Sequence, residues 1–162
     1  MSFLMILSLT NWLAVLSHDI QGMYGNSDAQ GSCVMNNIFA CGHGVCSPGY
    51  RHQAGVPKNS TVLSNNLYWP DNSSYFCAAG GCTGFALWQE ANSQNAGRHS
   101  MVANPQFVDA DPQSWPMGLR PQPASAAVAA GRPVGLATDF AGAALPRGAA
   151  PDIGAFQVAA AE

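Results

Sequence analysis

The chain has 162 residues, about the length of one domain and enough to bury a sizeable core. Only 9% of the residues are charged, the formal net charge is −3, and the six Lys and Arg residues are spread along the chain. Because nucleic-acid binding needs clustered cations to neutralise phosphates, this distribution argues against a nucleic-acid partner. With 17 glycines and 11 prolines, the composition predicts short strands and many loops.

The first element is an apolar run over residues 3–16, interrupted by polar side chains. It is shorter than the roughly 20 apolar residues that cross a bilayer, so we expect no membrane span. Val15 and Ser17 are small enough to precede a signal-peptide cleavage point, but no Lys or Arg comes before the run. A signal peptide and a strand or capping helix of the fold remain alternative interpretations of an N-terminal segment over residues 1–25.

An internal repeat follows a Gly/Asn/Ser-rich loop. Residues 34–39 and 63–68 share the order apolar, any, Asn, Asn, aliphatic, aromatic at an offset of 29 residues. Offsets of about 20 to 50 residues are typical of solenoids, in which each coil buries its inner face against the next. Residues 16–20 are a weaker candidate for an earlier copy, with His18-Asp19 in place of the Asn doublet.

Each copy of the repeat carries an asparagine doublet, Asn36-Asn37 in the first and Asn65-Asn66 in the second. Asparagine tolerates left-handed backbone angles, and its amide can donate to and accept from an equivalent amide in the next coil. The doublets therefore predict a structural ladder through the stack. Binding of sugar or metal by these asparagines is the alternative interpretation.

Two loop excursions, residues 42–59 and 70–97, leave the coils, and residues 85–91 of the second predict a short helix. The cysteines suggest local disulfides because two pairs have the same spacing; these are Cys41 with Cys46 and Cys77 with Cys82. Reduced buried thiols and a zinc site including His43 are alternatives, although structural zinc usually takes closer cysteine pairs. Cys33 is left over, and we expect no metal.

Three aromatic residues lie in or beside the second excursion, namely Trp69, Tyr75 and Trp88. Loops on one side of a solenoid often form its binding surface, so these rings are candidates for stacking on sugars. The alternative is that they attach the excursion to the body of the protein.

The last third of the chain carries four motifs in order: Asn104-Pro-Gln-Phe-Val-Asp109, Leu119-Arg-Pro followed by 122–131, Asp139-Phe-Ala-Gly142, and Asp152-Ile-Gly-Ala-Phe-Gln157. Together with the Asn-Asn coils they resemble the C-terminal end of bacterial right-handed parallel β-helix proteins, of the pectate-lyase-like type whose ends are classed as choice-of-anchor Q domains. The resemblance implies an all-β chain: a right-handed parallel β-helix of few coils over residues 26–112, with long loop excursions and an irregular closing segment over residues 113–162.

The chain departs from the family pattern at positions that would be polar, charged or proline. Ala126 and Ala129 replace Pro and Asp, Ala141 replaces Asp, and Gln157 replaces the final Glu. Calcium, which the resemblance allows, wants several charged oxygen ligands, and these replacements reduce that capacity. We therefore expect no cofactor.

Two clear coils are fewer than the three or more that stacked repeats generally need. We therefore expect either the C-terminal portion of a longer β-helix or a minimal one whose first coil is covered by residues 3–16. An uncovered coil end would expose strand edges and permit self-association. At the other end, we expect Ile153 and Phe156 of the closing run to fill the last coil.

The wider group includes lyases that cleave uronate polymers with cationic side chains on the outer face of a strand. The candidates here are Arg98 and His99, which precede a predicted strand, and Lys58, which lies in a loop. The alternative is that His99 and Ser100 bond the backbone at a coil entrance. No nucleophile elbow, phosphate loop or zincin motif is present.

These observations lead to a non-catalytic C-terminal module of an exported bacterial protein, secreted or at the cell surface, that contacts polysaccharide. A polysaccharide lyase or glycosidase fragment is the first alternative. An adhesin or other structural surface protein is the second.

Overall fold

The computed structural model describes residues 14–16, 23–25, 32–40, 50–52, 61–71, 76–78, 81–91, 96–114 and 116–158. Within these ranges the regular elements are short strands and one helix: β1 Ala14–Leu16, β2 Met23–Gly25, β3 Ser32–Met35, β4 Ile38–Ala40, β5 Tyr50–His52, β6 Thr61–Ser64, β7 Leu67–Trp69, β8 Phe76–Ala78, β9 Gly81–Thr83, α1 Phe85–Ala91, β10 Ala96–Arg98 and β11 Met101–Val102. Residues 112–114 and 117–119 form single 3-10 turns. No helix in the described ranges is long and apolar enough to span a bilayer.

The strands form three sheets, with the orders β1-β4-β7-β11, β3-β6-β10 and β2-β5-β8-β9. All pairs are parallel except β8 with β9. Strands β2, β3 and β4 follow one another in the chain and lie in three different sheets, as do β5, β6 and β7. We call each such passage through the three sheets a circuit; the third consists of β8 to β11 and adds two strands, β8 and β9, to the last sheet.

The β3–β6 and β4–β7 pairs have the period of the sequence repeat. Ile38 pairs with Leu67, and Val34 with Leu63, both at an offset of 29 residues. Leu67 then pairs with Met101, so a third circuit follows at an offset of 34 residues. The circuits differ in length because the excursions between them differ, while the strands keep their alignment.

Of the earlier copy predicted at residues 16–20, only Leu16 lies in the described ranges. Ala14 pairs with Ile38, so the positions equivalent to the first asparagine doublet are residues 12 and 13. Those two residues lie outside the described ranges. The pairing of β1 with β4 therefore does not align His18-Asp19, which come after β1 in the sequence, with the asparagine doublets.

Strands β4 and β7 are covered on both faces, because successive side chains of a strand point to opposite sides. Ile38 and Leu67 are fully buried and pack with Ala127 and Ile153 of the closing segment. Phe39 and Tyr68 point to the other side and stack on each other with ring centroids 5.1 Å apart. The two faces together explain why these short strands are almost continuously apolar.

The second face continues into an aromatic core. Tyr68 meets the Phe76 ring edge-on at 4.9 Å, and Phe76 stacks on Trp88 at 4.7 Å. Phe85 completes the group and is buried, as are the others. Helix α1 therefore holds the second excursion against the sheets through Phe85 and Trp88, with aromatic contacts that each contribute about 0.5–1.5 kcal/mol beyond area burial.

Candidate functional site

Three residues with left-handed backbone angles lie at equivalent positions of the three circuits. Asn36 (φ 60°), Asn65 (φ 51°) and His99 (φ 55°) each follow the strand of the β3-β6-β10 sheet. Asparagine and histidine are enriched in this region, which costs most other side chains about 1–2 kcal/mol. We call these three residues the left-handed column. Its third member was missed as a repeat position because His99 does not look like asparagine, although its place before β11 is a usable signal.

The residue after each member of the column forms a ladder. The Asn37 backbone N–H and side-chain amide donate to Asn66 Oδ1 at 3.0 and 3.1 Å. The Asn66 backbone N–H in turn donates to Ser100 Oγ at 3.0 Å. Asn37 and Asn66 are buried, so these bonds satisfy polar groups that have left water. Ser100 takes the third place in this ladder, because a hydroxyl oxygen can accept a hydrogen bond just as an amide oxygen can.

The asparagines of the column itself bind the closing segment instead of each other. Asn36 Nδ2 donates to the Arg132 carbonyl at 2.7 Å, and the Arg132 N–H donates back to Asn36 Oδ1 at 2.8 Å. Asn65 Nδ2 donates to the Ala130 carbonyl at 3.0 Å. The expected amide-to-amide contact therefore joins Asn37 and Asn66, while Asn36 and Asn65 use their amides on a backbone that comes from far along the chain.

The closing segment lies along the side of the stack. Gly131 N–H donates to the Pro151 carbonyl at 2.8 Å, Ile153 N–H to the Ala127 carbonyl at 2.8 Å, and Gly154 N–H to the Asn36 carbonyl at 2.9 Å. Ile153 packs on β4 and β7, which belong to the middle of the first sheet. Within the closing run, Ile153 packs with Ile38 and Leu67 of the first two circuits, and Met101 of the third circuit packs against the same cluster.

Asp139 and Asp152 hold the closing segment together. The buried Asp139 carboxylate, 6% exposed, accepts backbone N–H groups from Ala141 (2.9 Å), Ala143 (2.7 Å) and Gln157 (2.9 Å). Asp152, 5% exposed, accepts those of Ala129 (2.8 Å) and Val158 (2.6 Å). Gln157 joins the two groups, because its Oε1 accepts the Asp152 N–H at 3.1 Å. These carboxylates serve as acceptors for backbone groups.

The cationic candidates have a defined backbone role. The Arg98 carbonyl, at the end of β10, accepts the Asn65 N–H at 3.0 Å and the Ser64 hydroxyl at 2.9 Å, so its backbone joins the third circuit to the turn of the second. The side chains of Arg98 and His99 are exposed. Lys58 lies outside the described ranges, so the structure brings only two of the three candidates together. In the part of the chain that is described, no group of three or more His, Cys, Asp or Glu side chains could hold a metal ion.

The three aromatic residues predicted to bind sugar differ in how the structure places them. Trp88 is only 3% exposed and stacks on Phe76, so a sugar ring cannot reach its face and its assignment to carbohydrate binding is wrong. Trp69 is half-buried at the end of β7, with Ala40 as its register partner. Tyr75 lies outside the described ranges. Trp69 is therefore the candidate aromatic residue that the structure leaves accessible.

Cys82 is disulfide-bonded, and Cys77 lies directly opposite it in the antiparallel β8–β9 pair. The spacing of these two cysteines is that of a hairpin whose strands bring them face to face. Cys41 and Cys46 lie outside the described ranges.

An exposed turn precedes the closing segment. The Ser114 hydroxyl donates to Asp109 Oδ2, and the Asp111 N–H donates to Asp109 Oδ1 at 2.9 Å. These two bonds, with that of Ser114 the larger, lower the pKa of the Asp109 carboxyl below its ordinary value. Because the side chain is fully exposed, these bonds fix the shape of the turn but contribute little to the stability of the fold.

Comparison with known proteins gives no relative: no protein-family model, curated protein or solved structure matches the chain.

Proposed function

We propose that the chain is the C-terminal, non-catalytic module of an exported parallel β-helix protein that contacts polysaccharide. The observation that supports the architecture is the common alignment of three sheets, whose strands are contributed by successive circuits. The left-handed column and the ladder beside it add a second support, since both repeat once per circuit.

The support for polysaccharide as the partner is Trp69. Its indole is half-buried and packs against the core cluster, in which its register partner on β4 is the small residue Ala40. Aromatic faces next to small residues suit flat sugar rings, and a ring that is partly held by the core loses little entropy on binding. A low surface charge fits a neutral or weakly acidic glycan.

A glycan array with the purified chain tests the proposal. We expect binding to at least one polysaccharide, and Trp69→Ala should weaken it about 5–10-fold, the loss of one stacking contact. Leu87→Ala is the matched control, because Leu87 is 63% exposed on α1 and its loss should leave binding unchanged. Equal binding by the Trp69→Ala variant, or no glycan bound at all, would overturn the assignment.

The lyase alternative is favoured by the adjacent exposed side chains of Arg98 and His99. An assay for unsaturated uronates separates it from the proposal. Release of such products that is abolished by Arg98→Ala would show that the chain is catalytic, whereas binding without release supports the non-catalytic module.

A further inference from the structure

We propose that Asn36 and Asn65 are the anchors that select where the closing segment docks on the stack. This goes beyond a role in turn formation, for which their left-handed angles alone would be sufficient. The inference does not depend on whether the protein binds a glycan.

The geometry distinguishes these two asparagines from ordinary turn residues. Asn36 makes a two-way contact with the Arg132 backbone, donating at 2.7 Å and accepting at 2.8 Å, as a neighbouring strand would. Asn65, one circuit later, donates to the Ala130 carbonyl at 3.0 Å. The two anchored residues, Ala130 and Arg132, are two positions apart. A shift of the closing segment by one residue would move these carbonyls away from both amides.

The fit around the anchors is close. A Cβ on Gly131, between the two anchored residues, would come within 2.8 Å of the Pro151 carbonyl oxygen and 3.2 Å of Asn36 Oδ1. The chain at residue 131 is therefore held between the column on one side and residues 151–152 on the other. Only a residue without a side chain fits there, which restricts the docking to one alignment.

His99 provides an internal comparison. It has the same backbone conformation in the third circuit (φ 55°), but its exposed side chain makes no hydrogen bond to the closing segment within the described ranges. The column therefore combines two positions that hold the segment with one that only forms the turn. A docking role explains why only the two asparagines bond to the closing segment. A role in turn formation alone would not distinguish them from His99.

Glycine substitution separates the two roles, since Gly adopts left-handed angles without cost but has no amide. We expect Asn36→Gly to accelerate hydrogen exchange of the Gly131, Ile153 and Gly154 amides about 10-fold, and Asn65→Gly about 5-fold, because the first removes two side-chain bonds to the closing segment and the second removes one. The Leu67 and Met101 amides, which lie within the sheets, should keep their rates. His99→Gly is the matched control and should change neither group.

Wild-type exchange of the closing-segment amides in both glycine variants would overturn the proposal, because it would show that the asparagines serve only their turns. Equal acceleration of Leu67 and Met101 would also overturn it, since the effect would then be a general loss of stability. If Asn36→Gly does not fold, Asn65→Gly decides the question alone, because the Asn65 side chain is less buried and makes one hydrogen bond to the closing segment, besides accepting the Ser64 hydroxyl at 2.7 Å within its own turn.

Discussion

Gly154 lies directly against Ile38, so that a Cβ at residue 154 would come 2.8 Å from Ile38 Cδ1. Its φ of +111° is also one that L side chains rarely adopt. We therefore expect Gly154→Ala to lower the free energy of unfolding by about 2–3 kcal/mol, from backbone strain and overpacking together. Urea unfolding followed by tryptophan fluorescence measures the change.

Gly135→Ala is the control for the strain part, because Gly135 has φ +77° and a Cβ there would meet nothing within 4 Å. It should cost about 1 kcal/mol. Ile38→Val removes the obstructing methyl, so the Ile38→Val/Gly154→Ala double variant should lose less than the sum of the single changes. An additive result would contradict the contact.

Ala129 has a φ of 52° without an asparagine or glycine to accommodate it. We expect Ala129→Gly and Ala129→Asn to raise the free energy of unfolding by about 1 kcal/mol, because both residues tolerate left-handed angles. Ala126→Gly, in the same turn at an exposed position without positive φ, should lower it by a few tenths to about 1 kcal/mol. Stabilisation by both glycines would show that the gain at residue 129 does not come from relief of its left-handed angle, because glycine at residue 126 relieves none and makes the unfolded chain more flexible.

Asp139 accepts three backbone N–H groups from a buried position. Asp139→Ala leaves those donors without an acceptor, so we expect a loss of about 2–4 kcal/mol in chemical denaturation. The control is Asp111→Ala, because the exposed Asp111 accepts only the Gln113 N–H at 2.8 Å and should cost less than about 1 kcal/mol. Similar losses for the two variants would show that the Asp139 contacts are weak.

The lowered pKa of Asp109 can be measured by NMR titration of its carboxyl carbon. Since the folded-state pKa is depressed, the carboxylate bonds are present above the unfolded-state pKa and are lost as the pH falls through the folded-state value. Ser114→Ala removes the larger cause and should raise the pKa towards its ordinary value. Thr138→Ala removes an exposed hydroxyl elsewhere in the closing segment and should leave it unchanged.

The repeat predicted the alignment of the first two circuits, since Ile38 and Leu67 are register partners at its offset. It did not predict the third circuit, because His99 and Ser100 meet the same requirements as an asparagine doublet: a left-handed angle and a side-chain acceptor. Those requirements are physical and do not specify residue identity. A comparison of residue identities between copies of the repeat therefore cannot detect them.

The placement of the closing segment could not be read from its motif. Ile153 and Phe156 are both apolar, but they cover different surfaces: Ile153 packs with Ile38 and Leu67, which are distant in sequence, whereas Phe156 meets the Phe140 ring edge-on at 5.7 Å within the closing segment. Trp88 was misread for a related reason: a seven-residue helix does not show which of its faces is buried. Only the aromatic core of Phe76 and Phe85 resolves that ambiguity.

Because β4 and β7 are enclosed by the aromatic core on one side and the closing segment on the other, neither odd nor even positions along them are free to become polar. In homologous chains we therefore expect every position of these two strands to remain apolar. A strand with one face in solvent would instead accept polar substitutions at every second residue. The second excursion shares this constraint, because its Phe76, Phe85 and Trp88 form the aromatic core that covers one face of the strands.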